Sequence, residues 1–349
     1  MIFTPRRLIT ILALAAVGCL PLSGQDAPEP EMETEAAVSA PVPKRVFIAA
    51  LSPVGDPEYH DDWKATADAV REVGELDKGL TVHLFGAEDG FPGTTREELL
   101  GALAEVTPED ELWLFLSGHG TWDGRLARFN LQGTDVSDLE LAGLLKDRTG
   151  PTVVVVATAG SAPFIRSLSG PGRVVVAATK SGDEINYVRF GKFFAQALAD
   201  TEADLDEDGQ TSLLEASLMA SIKVAEFYDV EGRLATEHAM LDDNGDRLAT
   251  RTDWFRGVRA IRAPRDKVEA DGVRAHQLHL VPSELERQFT LEERARRDVL
   301  EQKIFVLRDQ KGEMEAARYY GSLEPLLLEI GKLYAAAELR LAEMTAENR

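Results

Sequence analysis

The chain has 349 residues, 44% of them apolar, which is long enough for two ordinary domains with a sizeable core. It carries 38 Lys and Arg against 60 Asp and Glu, a formal net charge of −22. This balance argues against a nucleic-acid-binding protein, whose binding surface is basic. It also argues against adsorption to an anionic membrane surface, and it suits a cation-binding protein.

The N-terminus has the pattern of an export signal. Arg6 and Arg7 precede an uncharged apolar run over residues 8–18, which is short for a membrane-spanning helix. The string AVGC, which ends at Cys19, is a partial match to the lipobox of bacterial lipoproteins. Cleavage near Gly24 without lipidation is the alternative. We expect an exported protein that is periplasmic, lipid-anchored or extracellular.

Cysteine chemistry is excluded from the mature chain by the position of the only cysteine. Cys19 lies within the export signal predicted over residues 1–24, so no thiol remains for catalysis and no internal disulfide can form. Residues 25–44 are rich in Pro, Glu and Ala and have no apolar period, which is typical of a disordered linker.

From residue 45 onward, apolar runs typical of buried strands alternate with segments of helical spacing. Ser137 and Glu140 have the spacing of a capping box, and Thr94 and Glu97 predict a helix through residue 104 in the same way. Such alternation predicts an α/β fold with a mainly parallel sheet covered by helices on both faces, and ligand groups at the carboxyl ends of its strands. The predicted strands are 45–51, 80–85, 111–116, 152–157 and 173–179.

The C-terminal part of the chain has a different pattern. Residues 286–345 are rich in Leu, Ala, Glu and Arg with apolar residues at helical spacing, which predicts a helical hairpin. Residues 263–285 are expected to be a linker between this hairpin and a domain over residues 45–262.

Polar and glycine-containing strings follow the last three predicted strands. They are SGHG at 117–120, TAGSA at 158–162 and KSGDE at 180–184. Together they resemble the caspase/legumain class of cysteine peptidases, over about residues 45–246. In that class a His-Gly pair supplies the base, and a cysteine after the next strand supplies the nucleophile.

The resemblance assigns a role to each strand end. It makes His119 the remnant of the base, Gly120 the remnant of the oxyanion site, and Ala159 the occupant of the cysteine position. Because the alanine side chain has no nucleophilic group, we expect a non-catalytic domain. The alternative is a hydrolase in which His119 activates a hydroxyl of Thr158 or Ser161, although a hydroxyl needs stronger activation than a thiol.

Asp183 and Glu184 lie in the segment that lines the specificity pocket of legumain-like enzymes. If a pocket persists, the resemblance implies that these carboxylates select a basic side chain. The alternative is a solvated acidic loop.

Residues 204–215, DLDEDGQTSLLE, match the twelve-residue EF-hand loop at every ligand position. Predicted helices flank the loop at 190–199 and 213–227. The motif predicts a calcium ion in a structural role, with Thr211 departing from the usual apolar residue. The predicted ligands are Asp204, Asp206, Asp208, Gln210, Ser212 and Glu215.

A second acidic turn, DDNGD at 242–246, is a weaker candidate for a metal site. Asp253 stands at its twelfth position, but Arg247 replaces the usual glycine and its charge opposes a cation. A hydrogen-bonded Asx turn is the simpler interpretation.

Three functions follow from these patterns. The first is a calcium-stabilised pseudo-peptidase that binds a peptide or protein without cleaving it. The second is the hydrolase with a hydroxyl nucleophile. The third is an envelope-anchored structural or interaction protein, in which the lipid at Cys19 is the membrane contact and the helical hairpin is the working surface. The patterns leave the oligomeric state open.

Overall fold

A computed structural model describes residues 43–265 and 268–347. The predicted export signal, the lipidation site at Cys19 and residues 25–42 of the predicted linker lie outside these residues. The strands are β1 (Arg45–Leu51), β2 (Leu80–Phe85), β3 (Glu111–Gly118), β4 (Gly120–Trp122), β5 (Ala127–Phe129), β6 (Val136–Ser137), β7 (Thr152–Thr158), β8 (Arg173–Ala177), β9 (Met240–Asp242), β10 (Thr250–Arg251), β11 (Phe255–Arg256) and β12 (Arg259–Ala260). The helices are α1 (His60–Leu76), α2 (Arg96–Glu105), α3 (Asp138–Leu144), α4 (Ala162–Leu168), α5 (Phe190–Ala197), α6 (Leu213–Val230), α7 (Val273–His276), α8 (Leu291–Asp309) and α9 (Ala316–Glu347).

Seven strands form one sheet in the order β10-β9-β8-β7-β3-β1-β2. The five strands from β8 to β2 are parallel, while β9 and β10 pair antiparallel at one edge. The mainly parallel sheet predicted from the sequence is therefore confirmed. The strand order reverses between β1 and β3, and in open parallel sheets ligands bind at the carboxyl ends of such a reversal.

Both faces of the sheet are covered by helices, as predicted. Alternate residues of a strand point to opposite faces. Phe47 and Phe115 pack toward α1, α5 and α6, while Ile48 and Leu114 pack toward α2, α3 and α4. Because each face is buried, the strands are apolar at nearly every position, which explains their continuous hydrophobic runs.

The capping box of α2 lies one residue later than the sequence predicts. Thr95 and Glu98 form the reciprocal cap, not Thr94 and Glu97. Thr94 is buried, and both its backbone N–H and its hydroxyl donate to the Leu51 carbonyl, so it is held by β1 and cannot cap the helix. Ser137 caps α3 through the Glu140 N–H, as predicted.

Two small sheets complete the described fold, and neither was predicted from the sequence. The meander β4-β5-β6 follows His119, and the hairpin β11-β12 follows the edge strand β10. Their strands are two or three residues long, too short to produce a recognisable apolar period.

The segment expected as a linker over residues 263–285 is packed in its second half. Ala275 and Leu280 are fully buried and belong to the core beside α6. The Arg45 guanidinium donates to the carbonyls of His279 and Leu280, which fixes this segment against the first strand.

The predicted helical hairpin is present as α8 and α9. Ion pairs between Arg296 and Glu329 (2.6 Å) and between Arg340 and Glu293 (2.5 Å) join the two helices in antiparallel orientation. Helix α9 begins at Ala316 and continues through Pro325. In the part of the chain that the structure describes, no helix combines the length and apolarity needed to cross a membrane.

Candidate functional site

His119 lies where the sheet order reverses, between the carboxyl ends of β1 and β3. Its backbone N–H donates to the Ser52 hydroxyl over 2.7 Å, and its Nε2 lies 3.1 Å from the Val54 carbonyl. The ring is half-buried beside Trp63 and Tyr187, with centroids 5.3 and 6.3 Å away. The strand end therefore holds the imidazole in one orientation, directed toward the loop after β1.

Gly120 brings the His-Gly turn against the end of β7. A Cβ built at Gly120 would lie 2.5 Å from Oγ1 of Thr158 and 2.9 Å from the Ala159 carbonyl oxygen, so only glycine permits this approach. The structure thus brings together the two strand ends that the sequence paired. Ala159, which the resemblance assigns to the nucleophile position, has no reactive group.

The two hydroxyls nearest to that position are buried and hydrogen-bonded. Thr158 donates to the Ala159 carbonyl over 3.2 Å. The Ser161 hydroxyl lies 3.0 Å from Oγ1 of Thr179 and accepts the Thr179 backbone N–H over 3.1 Å. The side chains of Thr158, Ser161 and Thr179 are all fully buried. Among the described residues, no hydrogen bond joins the His119 ring to either hydroxyl.

The loop after β8 carries the two acids predicted to line a pocket. Glu184 is paired within the chain, since its carboxylate lies 2.5 Å from Nδ1 of His238 and 3.3 Å from Nζ of Lys180. Asp183 is exposed. Selection of a basic side chain at this loop would therefore depend on Asp183. The role of His238 was not predicted, because this residue lies more than fifty residues downstream of Glu184.

Trp122 fills the space between the loops that follow β7 and β8. A Cβ built at Gly182 would lie 2.2 Å from the indole, and one built at Gly160 would lie 3.3 Å from Cβ of Trp122. The Gly160 N–H also donates to the Glu184 carbonyl over 2.8 Å, which joins the two loops directly. An extended peptide would have to displace the indole to enter between them.

The acidic loop at 204–215 forms a second candidate site. Oxygen atoms of Asp204, Asp206 and Asp208 lie within 4.8 Å of one another. The Asp204 carboxylate accepts the N–H groups of Asp208 and Gly209, so the backbone wraps around it. Carboxylate oxygens converging inside a tight loop are the donor set that Ca²⁺ prefers.

The remaining predicted ligands also serve the local fold. Ser212 and Glu215 form the capping box that starts α6. The second Glu215 oxygen accepts the N–H of Leu205 over 2.8 Å, which closes the loop. The Gln210 side chain accepts the N–H of Ser283 over 3.0 Å, while its backbone carbonyl is the group that the motif assigns to calcium.

The pKa of Asp208 is raised above its usual value, so the loop disfavours the negative charge of this carboxylate. Although the Asp208 side chain is exposed, desolvation by the surrounding loop raises its pKa to about 6, and the nearby carboxylates of Asp206 and Glu215 add to the rise. A divalent cation among these oxygens would remove the repulsion, because it compensates the like charges.

His276 is a potential ligand that the sequence analysis missed. Its Nε2 lies 3.1 Å from the Asp206 carboxylate, and this hydrogen bond lowers the pKa of Asp206. Asp206, Glu215 and His276 form a second group whose donor atoms lie within 4.8 Å of one another. The histidine is 70 residues from Asp206, so no local motif contains both.

The second acidic turn is a hydrogen-bonded turn. The Asp242 carboxylate accepts the N–H groups of Gly245 and Arg247, and Asn244 accepts that of Asp246. At the predicted twelfth position, Asp253 is paired instead with the Arg251 guanidinium. These contacts favour the Asx-turn interpretation over a metal site.

The fold and sites define an α/β domain that places a histidine at the strand-order reversal and an acidic loop ahead of its long helix α6. No protein-family model matches the chain, and no curated protein does. Among solved structures, the crystal structure of the Drosophila initiator caspase Dronc matches with a TM-score of 0.33 and 11% identity. The match covers 58% of this chain and 80% of that chain. A likeness this weak assigns no activity to the chain.

Proposed function

We propose that this protein is a non-catalytic domain of caspase/legumain-like architecture that binds a peptide or protein and is stabilised by calcium. The observation that carries the proposal is Ala159 at the strand end beside the His119-Gly120 turn. Covalent catalysis requires a nucleophile within reach of its base, and alanine supplies none.

The geometry favours this function over the hydroxyl-based hydrolase. A serine or threonine nucleophile has to be accessible and hydrogen-bonded to its base. Ser161 and Thr158 are fully buried, and their hydroxyls bond to Thr179 and to the Ala159 carbonyl. His119 is hydrogen-bonded to the loop after β1.

A hydroxyl-reactive probe tests this choice. The full chain is incubated with a fluorophosphonate, and labelled residues are identified by mass spectrometry, with an active serine hydrolase in the same tube as positive control. We expect labelling of the control alone. Labelling of Ser161 or Thr158 that is lost in His119→Ala would overturn the proposal in favour of the hydrolase.

Calcium is the cofactor that the acidic loop supports. The convergence of Asp204, Asp206 and Asp208, together with the match of the whole loop to the EF-hand spacing, is the supporting observation. A dissociation constant of about 10⁻⁴–10⁻³ M is typical of extracellular modules of this kind. Bound calcium would hold the start of α6 and, through Gln210, the segment that leads to α8.

Isothermal titration with calcium chloride tests the site. We expect one calcium per chain in the wild type and none in Asp208→Ala. The matched control is Asp246→Ala in the second acidic turn, which removes the same charge and should leave binding intact. Equal loss of binding in both variants, or no binding in the wild type, would contradict the site.

Export is proposed on the N-terminal pattern alone. The mature chain would begin at a lipidated Cys19 or near Gly24. Intact-mass analysis of protein from membrane and soluble fractions distinguishes the two starts, and a mass that includes residues 1–18 would contradict export. Lipidation would also support the envelope-anchored function, which is compatible with peptide binding.

A further inference from the structure

A cleft of about 620 Å³ lies beside the acidic loop, between the β11-β12 hairpin, residues 272–277 and helix α8. Its lining has an apolar part to which Val258, Val273, Ile304 and Phe305 contribute. Arg256, Arg259 and Arg308 also line it. An apolar surface combined with a few charged groups is typical of a ligand-binding cleft.

Three arginines and three acids line the cleft, in a chain whose net charge is −22. The acids are Asp206, Glu301 and Asp309. Arg259 is paired with Asp309 over 2.6 Å. Within the described part of the chain, no carboxylate oxygen lies within ion-pair distance of Arg256 or Arg308, and both residues are exposed.

The acidic groups of the cleft are already paired. Asp206 is held by His276 over 3.1 Å, and the Glu301 carboxylate accepts the Gln277 amide N–H over 2.9 Å. Arg297 approaches Glu301 at 3.6 Å. These contacts leave the two arginines as the charges that are open to a ligand.

We propose that this cleft binds an acidic polypeptide segment that carries a bulky apolar side chain. Carboxylates of the segment would pair with Arg256 and Arg308, because a guanidinium presents a fork of donors that matches a carboxylate. The apolar side chain would pack on Ile304 and Phe305. The proposal rests on the proposed function, since it gives the peptide-binding domain a site away from the strand ends that Trp122 fills.

Fluorescence anisotropy with labelled synthetic peptides tests the cleft. The probes are a glutamate-rich peptide with a central Leu-Phe pair, its counterpart with lysine for glutamate, and its counterpart with serine for Leu-Phe. We expect the full chain to bind only the first. Arg256→Glu and Arg308→Glu should each weaken binding about tenfold at low salt, because an attractive charge becomes repulsive.

Arg233→Glu is the matched control, because it makes the same charge change at an exposed residue that does not line the cleft. Equal weakening by all three reversals would reveal a general charge effect and overturn the proposal. Binding to phosphatidylglycerol vesicles but to no peptide, or a dimer that Arg256→Glu dissociates, would also overturn it. If a peptide binds the wild type and the variants equally, the cleft is not its binding site, but the proposed peptide-binding function stands. Cleavage of a bound peptide would instead contradict the proposed non-catalytic function.

Discussion

Trp122 and Gly182 pack so closely that a Cβ at position 182 would lie 2.2 Å from the indole Cδ1. The contact crosses from the meander after His119 to the loop after β8. It occupies the space that an extended peptide would need between the two strand-end loops. The contact therefore argues against peptide binding between these two loops, whereas the non-catalytic proposal rests on Ala159.

Gly182→Ala tests this packing. The added methyl group has to displace the indole, so we expect a loss of about 1–3 kcal/mol in the free energy of unfolding and a red-shifted tryptophan emission. Urea denaturation followed by fluorescence measures both. Gly170→Ala is the control, because a Cβ at Gly170 meets no atom within 4 Å. Equal stability of both variants would show that the indole does not fill this space.

Ser161→Ala separates a structural serine from a nucleophile. The hydroxyl accepts the Thr179 N–H and bonds to the Thr179 hydroxyl in a fully buried position. Removing it leaves buried polar groups without a partner, so we expect a loss of about 1–2 kcal/mol in thermal or chemical unfolding. Thr179→Val should have a similar cost. Unchanged stability in both variants would contradict this structural role.

Glu237 gives the protein a pH-dependent stability. It caps α5 by accepting the N–H groups of Arg189 and Phe190, yet burial raises its pKa to about 7 from 4.5. The folded state therefore holds a proton that the unfolded state has released. The stabilisation by protonated Glu237 is fully present below pH 4.5 and is lost as pH rises through about 7. The free energy of unfolding falls by at most about 1.4 kcal/mol per pH unit from this group.

Glu237→Gln should flatten the decline in unfolding free energy between about pH 5 and 8, because glutamine does not titrate. The buried Asp271, whose pKa burial raises to about 8, acts in the same direction, so the slope is reduced and not abolished. Exposed Glu231→Gln is the control. Parallel pH profiles for wild type and Glu237→Gln would show that Glu237 is ionised in the folded state.

Asp77 fixes the segment before the helical hairpin. Its buried carboxylate pairs with Arg45 (2.5 Å) and Arg287 (2.8 Å). Although burial opposes ionisation, hydrogen bonds from Arg287, the Gly79 N–H and Arg45 hold the pKa of Asp77 below its usual value. Its contribution is therefore present at neutral pH and lost as the carboxylate becomes protonated in acid.

Asp77→Asn should cost about 1.5–3 kcal/mol, the range for hydrogen bonds to charged groups, and should increase amide hydrogen exchange over residues 276–290. The matched control is Asp68→Asn, which breaks exposed ion pairs with Lys64 and Arg71 and should cost less than about 1 kcal/mol. Equal costs would mean that Asp77 does not anchor this segment.

The sheet could be predicted from the sequence because its strands are buried on both faces and therefore appear as uninterrupted apolar runs. The helices flanking the acidic loop were predictable for a related reason, since α5 and α6 bury many of their side chains against that sheet. The meander that carries Trp122 could not be predicted, because its strands of two or three residues depend on tertiary contacts.

The residues of the candidate sites could be predicted where they are close in sequence and not where they are distant. The predicted ligands of the acidic loop all lie within twelve residues, so their spacing alone indicates that they are close together. His276 and His238 reach their carboxylate partners across 70 and 54 residues, and local spacing contains no signal for either. The packing of residues 271–282 was missed because this stretch is held by scattered contacts such as those of Arg45 with two backbone carbonyls.

The central claim, loss of catalysis, is tested most directly by incubating the full chain with a diverse peptide library, once with millimolar calcium and once with chelator. His119→Ala is assayed in parallel, and mass spectrometry detects cleavage products. The account predicts no cleaved peptide in any condition. Calcium-supported cleavage that His119→Ala abolishes would contradict it and would show that the strand-end site is catalytic despite Ala159.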